Sequence, residues 1–265
     1  MQNNTFSTLF VGQNLIRLSA VDSTNNFLKT MVSNSEPLPE GTVIMADNQY
    51  AGRGQQENTW HAEPGMNLTA SLFLKPRFLP VDKQFMLNMA VSIGIRDALR
   101  EFVTENISIK WPNDIYYKDR KLGGILIENS IVGSGYKSAI IGIGINVNQT
   151  NFNPEQVKTA ASLREILQED VNLMGLLAEI CKRIEVQYLR LKANPSDMTA
   201  DYLSGLYRFQ QIAAFKDSSD TFEGIIVDVS SRGQLIIEKA GLKVGYSFKE
   251  VEFLTNPAHW VNEKL

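Results

Sequence analysis

Two observations predict an α+β fold in two unequal parts. Strand and helix patterns follow one another in mixed order over residues 1–207, whereas 208–265 carries short period-two runs separated by polar turns. The length of 265 residues with 43% hydrophobic content supplies enough apolar surface for one large core or two unequal ones.

The run 42–46 after Gly41 reads as a strand. Stretch 67–74 alternates, with Leu68, Ala70, Leu72 and Leu74 on one side and Asn67, Thr69 and Ser71 on the other. Asp82 is placed to cap a long helix reaching about Val103, its apolar face made of Phe85, Met86, Met89, Ala90, Ile93 and Leu99. Alternation returns at 107–111 and breaks at Pro112-Asn113-Asp114. Runs 115–117 and 122–128 flank a charged turn, Lys118-Asp119-Arg120-Lys121, and predict a hairpin with Lys121 where its second strand begins.

Stretch 138–148 has two unlike faces. Ile141, Ile143, Ile145 and Val147 point one way, and Gly142, Gly144, Asn146 and Asn148 the other. Glycine inside a strand marks a bulge or the close approach of a ligand or another backbone. Leu173, Leu176, Leu177, Ile180, Ile184, Tyr188 and Leu191 recur at helical spacing around the single cysteine, Cys181, which reads as a small core residue. Asn194-Pro195 ends that helix, and a short helix to about Leu206 follows. Runs 212–215, 221–229, 234–238 and 246–251 then predict a small β-barrel of about five strands.

Composition excludes several functions. Lys plus Arg number 26 against 29 Asp plus Glu, a formal charge of −3, so no positive field draws the chain to nucleic acid or anionic lipid. The N-terminus lacks a basic leader and no apolar run approaches the roughly 18 residues of a membrane span, which points to a cytoplasmic protein without membrane attachment. With one cysteine and two histidines, His61 and His259, a His/Cys metal cage lacks its ligands, and no G-x-S-x-G elbow supports a serine hydrolase.

Four motifs remain. Gly52-Arg53-Gly54 gives a loop whose N–H groups and guanidinium can close on an anion, and spacing alone leaves a plain surface loop equally open. Lys121, followed by Gly123 and Gly124, can reach a ligand lying on a strand without side chains, against the alternative of a solvated turn lysine. Asn113-Asp114 is first a turn and second a site for magnesium-bound phosphate. Asp22-Ser23-Thr24-Asn25 reads as a helix cap whose hydroxyls can also hold a polar ligand.

Jointly and in this order, six segments resemble the biotin protein ligases, or biotin–[acetyl-CoA-carboxylase] ligases. They are Asp22-Ser23-Thr24-Asn25, Gln49 with Gly52-Arg53-Gly54, Trp60, Lys110-Trp111-Pro112-Asn113-Asp114, Lys121-Leu122-Gly123-Gly124-Ile125-Leu126-Ile127-Glu128 and Gly142-Ile143-Gly144-Ile145-Asn146-Val147. The resemblance implies a mixed sheet flanked by helices, like that of class II aminoacyl-tRNA synthetases, in a 1–207 catalytic domain, and an SH3-like barrel over 208–265. It also implies two steps: biotin and Mg-ATP give biotinyl-5′-AMP, which then biotinylates a lysine of a biotin carboxyl carrier domain. A lipoate ligase or octanoyltransferase of the same superfamily is the alternative, and a non-catalytic biotin or nucleotide sensor is a third reading.

Residue by residue, the resemblance places Ser23, Thr24, Asn25 and Gln49 around the rings of biotin, and Arg53, Gly54 and Gln55 in a closing loop. Lys121 then meets the biotin carboxylate and the α-phosphate with Arg53 as the second catalytic cation, and Gly124, Gly142 and Gly144 leave room for biotin. Trp60, Asn113 and Asn146 fall on the nucleotide side, with no protein metal ligand assigned. Gln55-Gln56-Glu57 departs from the family, where basic residues often follow the Gly-Arg-Gly unit. With only about twenty residues before Asp22, the expectation is an enzyme without an N-terminal DNA-binding domain. An exposed sheet edge could serve the acceptor or a weak, ligand-dependent homodimer.

Overall fold

The computed structural model describes residues 6–34, 37–56, 58–133, 135–152, 159–194 and 198–254. Expectations concerning Glu57, Pro195 and His259 lie outside these residues.

The chain opens with β1 (Leu15–Val21), α1 (Thr24–Ser33) and β2 (Val43–Gln49), a crossover that lays β1 and β2 parallel. Next come β3 (Leu68–Leu74), α2 (Phe85–Arg100) and the hairpins built from β4 (Ile107–Lys110), β5 (Asp114–Tyr117), β6 (Arg120–Val132) and β7 (Gly135–Ile145). Three helices follow, α3 (Leu163–Leu167), α4 (Leu173–Ala193) and α5 (Met198–Ser204). The chain then forms β8 (Ile212–Asp217), β9 (Thr221–Val229), β10 (Leu235–Lys239), β11 (Leu242–Tyr246) and β12 (Val251–Phe253). Strands β1 to β7 make one mixed sheet in the order β1-β2-β3-β7-β6-β5-β4, and β8 to β12 a separate antiparallel sheet in the order β11-β10-β9-β8-β12.

The two faces of the large sheet are used differently. Behind it, α2 and α4 cover the main core, to which Leu68, Ala70, Leu72 and Leu74 of β3 and Ile141, Ile143 and Ile145 of β7 contribute. In front, α1 covers only one end, where Leu28, Ile44, Phe73 and Ile140 form a second apolar cluster. Every residue of β3 is therefore buried, including the polar Thr69 and Ser71 on the front face.

Three local expectations are corrected. Asp82 does not cap the long helix: Val81–Lys83 is a separate 3₁₀ turn, and α2 begins at Phe85 with Gln84 preceding it. Ser23 does occupy the position before α1, but its hydroxyl makes no cap bond, and the first helical amide, that of Thr24, donates to the Gln49 side chain at 2.9 Å. The strand expected at 246–251 is split. A tight turn at Ala240 (φ 50°) and Gly241 (φ 79°) folds β11 back on β10, and Ser247 to Glu250 then carry the chain to β12. Positive φ at both turn residues is the twist that suits a two-residue hairpin. β1 had no clear sequence signature, since a half-exposed edge strand needs little alternation.

Helices α2 and α4 touch most closely at Gly94, where an added Cβ would stand 2.9 Å from the Ile184 Cα. Backbone, not a flexible side chain, blocks the space. Gly94→Val is expected to force the helices apart and lower stability by about 3 kcal/mol, measured as a lower urea midpoint with an unchanged slope.

Candidate functional site

The site follows from the pairing of β3, β7 and β6. Facing residues in antiparallel strands share a face of the sheet. Three rows result on the front: Phe73, Ile140 and Glu128; then Ser71, Gly142 and Leu126; then Thr69, Gly144 and Gly124. The first row begins under α1 and is apolar in Phe73 and Ile140. Beyond the first turn of α1 the rows carry small side chains except at Leu126, and a cavity of about 520 Å³ opens there.

Two of the glycines serve neighbouring side chains. A Cβ on Gly142 would lie 2.7 Å from Asn25 Oδ1, and one on Gly144 would lie 2.5 Å from the Trp60 ring. The stripped face of β7 thus seats Asn25 and Trp60, so the expectation of open space beside both glycines is modified. At Gly124 the neighbours are the Lys121 ammonium and the Asp114 carboxylate, at 3.6 and 3.4 Å from such a Cβ.

A β-bulge aims Lys121. Residues 121 and 124 are an odd number apart and would occupy opposite faces of a regular strand. The register to β5 shifts here, Ile115 facing Gly123 while Tyr116 faces Lys121, so Leu122 is the extra residue and enters the core. Lys121 Nζ then lies 2.7 Å from Asp114 Oδ1 over Gly124. Beside it, Lys110 Nζ donates to the Tyr116 hydroxyl at 3.0 Å and sits over the Tyr116 and Phe253 rings. Burial pulls the Lys110 pKa down, Asp114 opposes this, and the Lys121 charge adds to the depression. Asn113 donates to the Ile125 carbonyl at 2.7 Å, which leaves its amide oxygen for the cavity it lines.

The other end is a polar seat built on α1. Gln49 Oε1 accepts from the Thr24 amide and hydroxyl, and the Ser71 hydroxyl lies 2.7 Å from Thr24 Oγ1 and 2.5 Å from Asn25 Oδ1. Asn25 Nδ2 donates to Glu128 at 2.8 Å. The Arg53 guanidinium donates to both Glu128 oxygens, at 2.9 and 3.2 Å, and to Asn26 Oδ1 at 2.9 Å, while Lys29 pairs with the same carboxylate. Burial alone would push the Glu128 pKa up, but the bonds from Lys29, Asn25 and Arg53 outweigh it and hold it below 4.5.

The loop carrying Arg53 is closed on itself by Gly54 N–H to Asn58 O at 2.7 Å and Trp60 N–H to Gly52 O at 2.9 Å. Gln55 Oε1 and Trp60 Nε1, both in the cavity wall, are buried without a hydrogen-bond partner among the described residues. Such orphaned atoms are uncommon and are natural points for a ligand to satisfy.

Of the residues expected at the site, Ser23, Thr24, Asn25, Gln49, Arg53, Gly54, Gln55, Trp60, Asn113, Lys121, Gly124, Gly142 and Gly144 all line this cavity. Asn146 does not. It is buried, its amide donating to the Ala161 carbonyl at 3.1 Å and to the Lys121 carbonyl at 3.4 Å, which ties that segment to β6. Nor are the two expected cations brought together: Arg53 is paired at Glu128, four residues along β6 from Gly124, or about 13 Å at strand spacing. Sequence reading missed Lys110, Ser71 and the role of Glu128, as well as Phe248, Lys249, Glu252 and Phe253, which the second sheet contributes. The polar alternation of β3 was a signal for Ser71, whereas nothing local marked the distant strands.

The pattern of the Biotin/lipoate A/B protein ligase family matches residues 18–146. The bifunctional ligase/repressor BirA of Bacillus spizizenii is 30% identical over 247 residues, covering 91% of this chain and 74% of that protein. The chain belongs to this family. The Bacillus subtilis protein of the same name is 35% identical over 183 residues, 68% of this chain, and the chain spans 55% of its length. Among solved structures, the biotin protein ligase of Aquifex aeolicus in complex with biotin and ATP superposes with a TM-score of 0.77 at 27% identity, covering 92% of this chain and 99% of that one. Family membership agrees with the mixed helix-flanked sheet, and the separate C-terminal sheet is consistent with an SH3-like unit. No helix among the described residues is long and apolar enough to cross a membrane.

A pH dependence follows from Glu128. A carboxylate whose folded pKa lies below its unfolded value contributes stability that is complete above the unfolded value and fades as pH falls through the folded one. Glu128→Gln is therefore expected to be less stable than the parent near neutral pH, with the gap closing below pH 4.5, as read from paired urea titrations.

Proposed function

We propose that this protein is an ATP-dependent biotin protein ligase. It forms biotinyl-5′-AMP and pyrophosphate from biotin and Mg-ATP, then transfers biotin to a lysine of a biotin carboxyl carrier domain. One observation carries the reading: a single cavity joins an amide-and-hydroxyl seat to a lysine ammonium held over a bare strand. The seat suits an uncharged cyclic urea, which needs both donors and acceptors; the ammonium suits the carboxylate at the far end of that vitamin's chain. The likeness to the Aquifex aeolicus biotin protein ligase, solved with biotin and ATP, favours biotin over lipoate.

In the first step a biotin carboxylate oxygen attacks the α-phosphorus, the P–O bond to the β-phosphate breaks, and pyrophosphate departs. Negative charge builds on the α-phosphoryl oxygens, and the Lys121 ammonium, held over Gly124 beside Asp114, is the cation assigned to stabilise it. Lys110, already desolvated, supplies a second positive charge at this end. The carboxylate of Asp114 and the amide oxygen of Asn113 are hard oxygen donors that fit the magnesium of the nucleotide. Trp60 offers an aromatic face and a free indole N–H on the nucleotide side. In the second step the neutral acceptor amine attacks the acyl carbon and AMP leaves.

Residues 1–207 form the catalytic domain in this reading and 208–265 a second domain, of whose described residues Phe248, Lys249, Val251, Glu252 and Phe253 line the cavity. Trp111 Nε1 donates to the Gly233 carbonyl at 2.9 Å, and Phe248 packs edge-on to Trp111. The activity, acceptor and cytoplasmic location belong to this proposal.

Biotin-dependent pyrophosphate exchange into ATP tests it. Lys121→Ala is expected to slow exchange by about 2 to 4 kcal/mol of lost transition-state stabilisation, with an unchanged melting temperature. Exchange with lipoic acid but not biotin, or none with either, would overturn the reading.

A further inference from the structure

The charged cluster on the front face is the largest feature that the two chemical steps leave unused. Glu128 is on the same strand as Lys121 but at the opposite end of the site, and its carboxylate takes three partners from two other elements. Lys29 and Asn25 come from α1, and Arg53 from the loop between β2 and β3. Its side chain is 19% exposed, and Arg53's is 37% exposed, so the pair is shielded on the strand side and wet on the loop side.

Two features separate this group from an ordinary surface ion pair. First, the Arg53 contact is a two-pronged fork, with a third bond to Asn26 of α1, so the guanidinium has one orientation and little freedom to turn toward the Lys121 end. Second, Glu128 decides which way the Asn25 amide faces. Ser71 donates to its oxygen and Glu128 accepts from its nitrogen, so each end of the amide has an obligatory partner. Loop position and amide orientation are thus set by one carboxylate.

We propose that Glu128 is a positioning residue that acts through Arg53 and Asn25, holding the described residues of the Arg53 loop, Gly52 to Gln56 and Asn58 to Trp60, and the polar seat of α1 as one unit around the ligand. Arg53 is then the latch of the loop and not a charge at the reacting phosphorus. This rests on the ligase reading, but the loop part can be tested without it.

The test is a double-mutant cycle of Arg53→Ala, Glu128→Ala and the pair. Hydrogen exchange of the loop amides is read first, in the ligand-free protein. Each single variant is expected to speed exchange about tenfold, and the double variant no further, because both break one interaction. In pyrophosphate exchange the same three proteins are expected to raise the KM for biotin by about tenfold while kcat changes less than about threefold, equivalent to roughly 1.4 kcal/mol of lost coupling. Glu128→Gln keeps an acceptor for Asn25 but loses the ionic fork, so it is expected to fall between parent and Glu128→Ala, and it serves if the alanine variant does not fold. Unchanged loop exchange, or a kcat that falls far more in Arg53→Ala than in Glu128→Ala with effects that multiply, would overturn the proposal. Loss of loop protection in a protein without biotin-dependent exchange would instead overturn the ligase reading and leave the latch standing.

Discussion

The register of β7 between β3 and β6 is the constraint on which the site depends. Side chains alternate with a period of two, so a slip by one residue would bring Ile141 and Ile143 to the front and turn Gly142 and Gly144 into the core. The apolar rear face prevents that slip. Ile141, Ile143 and Ile145 are nearly or fully buried against α2 and α4, and exposing even one costs about 2 kcal/mol. Packing behind the sheet therefore fixes which residues are bare in front of it.

On that fixed floor, the charges separate by position. Lys121, Lys110 and Asp114 cluster at the end near the second sheet, and Glu128, Arg53 and Lys29 at the end near α1. Neither cluster is fully dry, which avoids the large cost of stripping an ion of water. A β-bulge produces the first cluster by moving Lys121 to the cavity side. The spacing of α1 produces the second, since Asn25 and Lys29 are four residues apart and lie one above the other on the helix.

The second sheet also belongs to this arrangement. Its Phe215, Phe222 and Phe253 pack ring to ring and join the same apolar cluster as the rear of the large sheet. Phe253 also lies under the Lys110 ammonium, and the Gly233 carbonyl accepts from Trp111. The floor, the loop and the barrel-like sheet thus meet around one cavity through residues that are distant in sequence.

Much was legible in the sequence where the signal is periodic. Alternation in 67–74 and 138–148 and helical spacing around Cys181 located β3, β7 and α4, because burial on one side imposes a period on the chain. The residues of the polar seat and Lys121, which short motifs carry at fixed spacing, line one cavity. The sequence did not disclose that Asn25 and Trp60 fill the glycine face, that Asn146 turns away, or that Arg53 is tied to Glu128 some 75 residues later. Periodicity determines which face of an element is apolar. Which distant groups meet on the other face depends on strand order, a one-residue bulge and the hydrogen-bond competition among side chains, and these exist only once the sheet has closed.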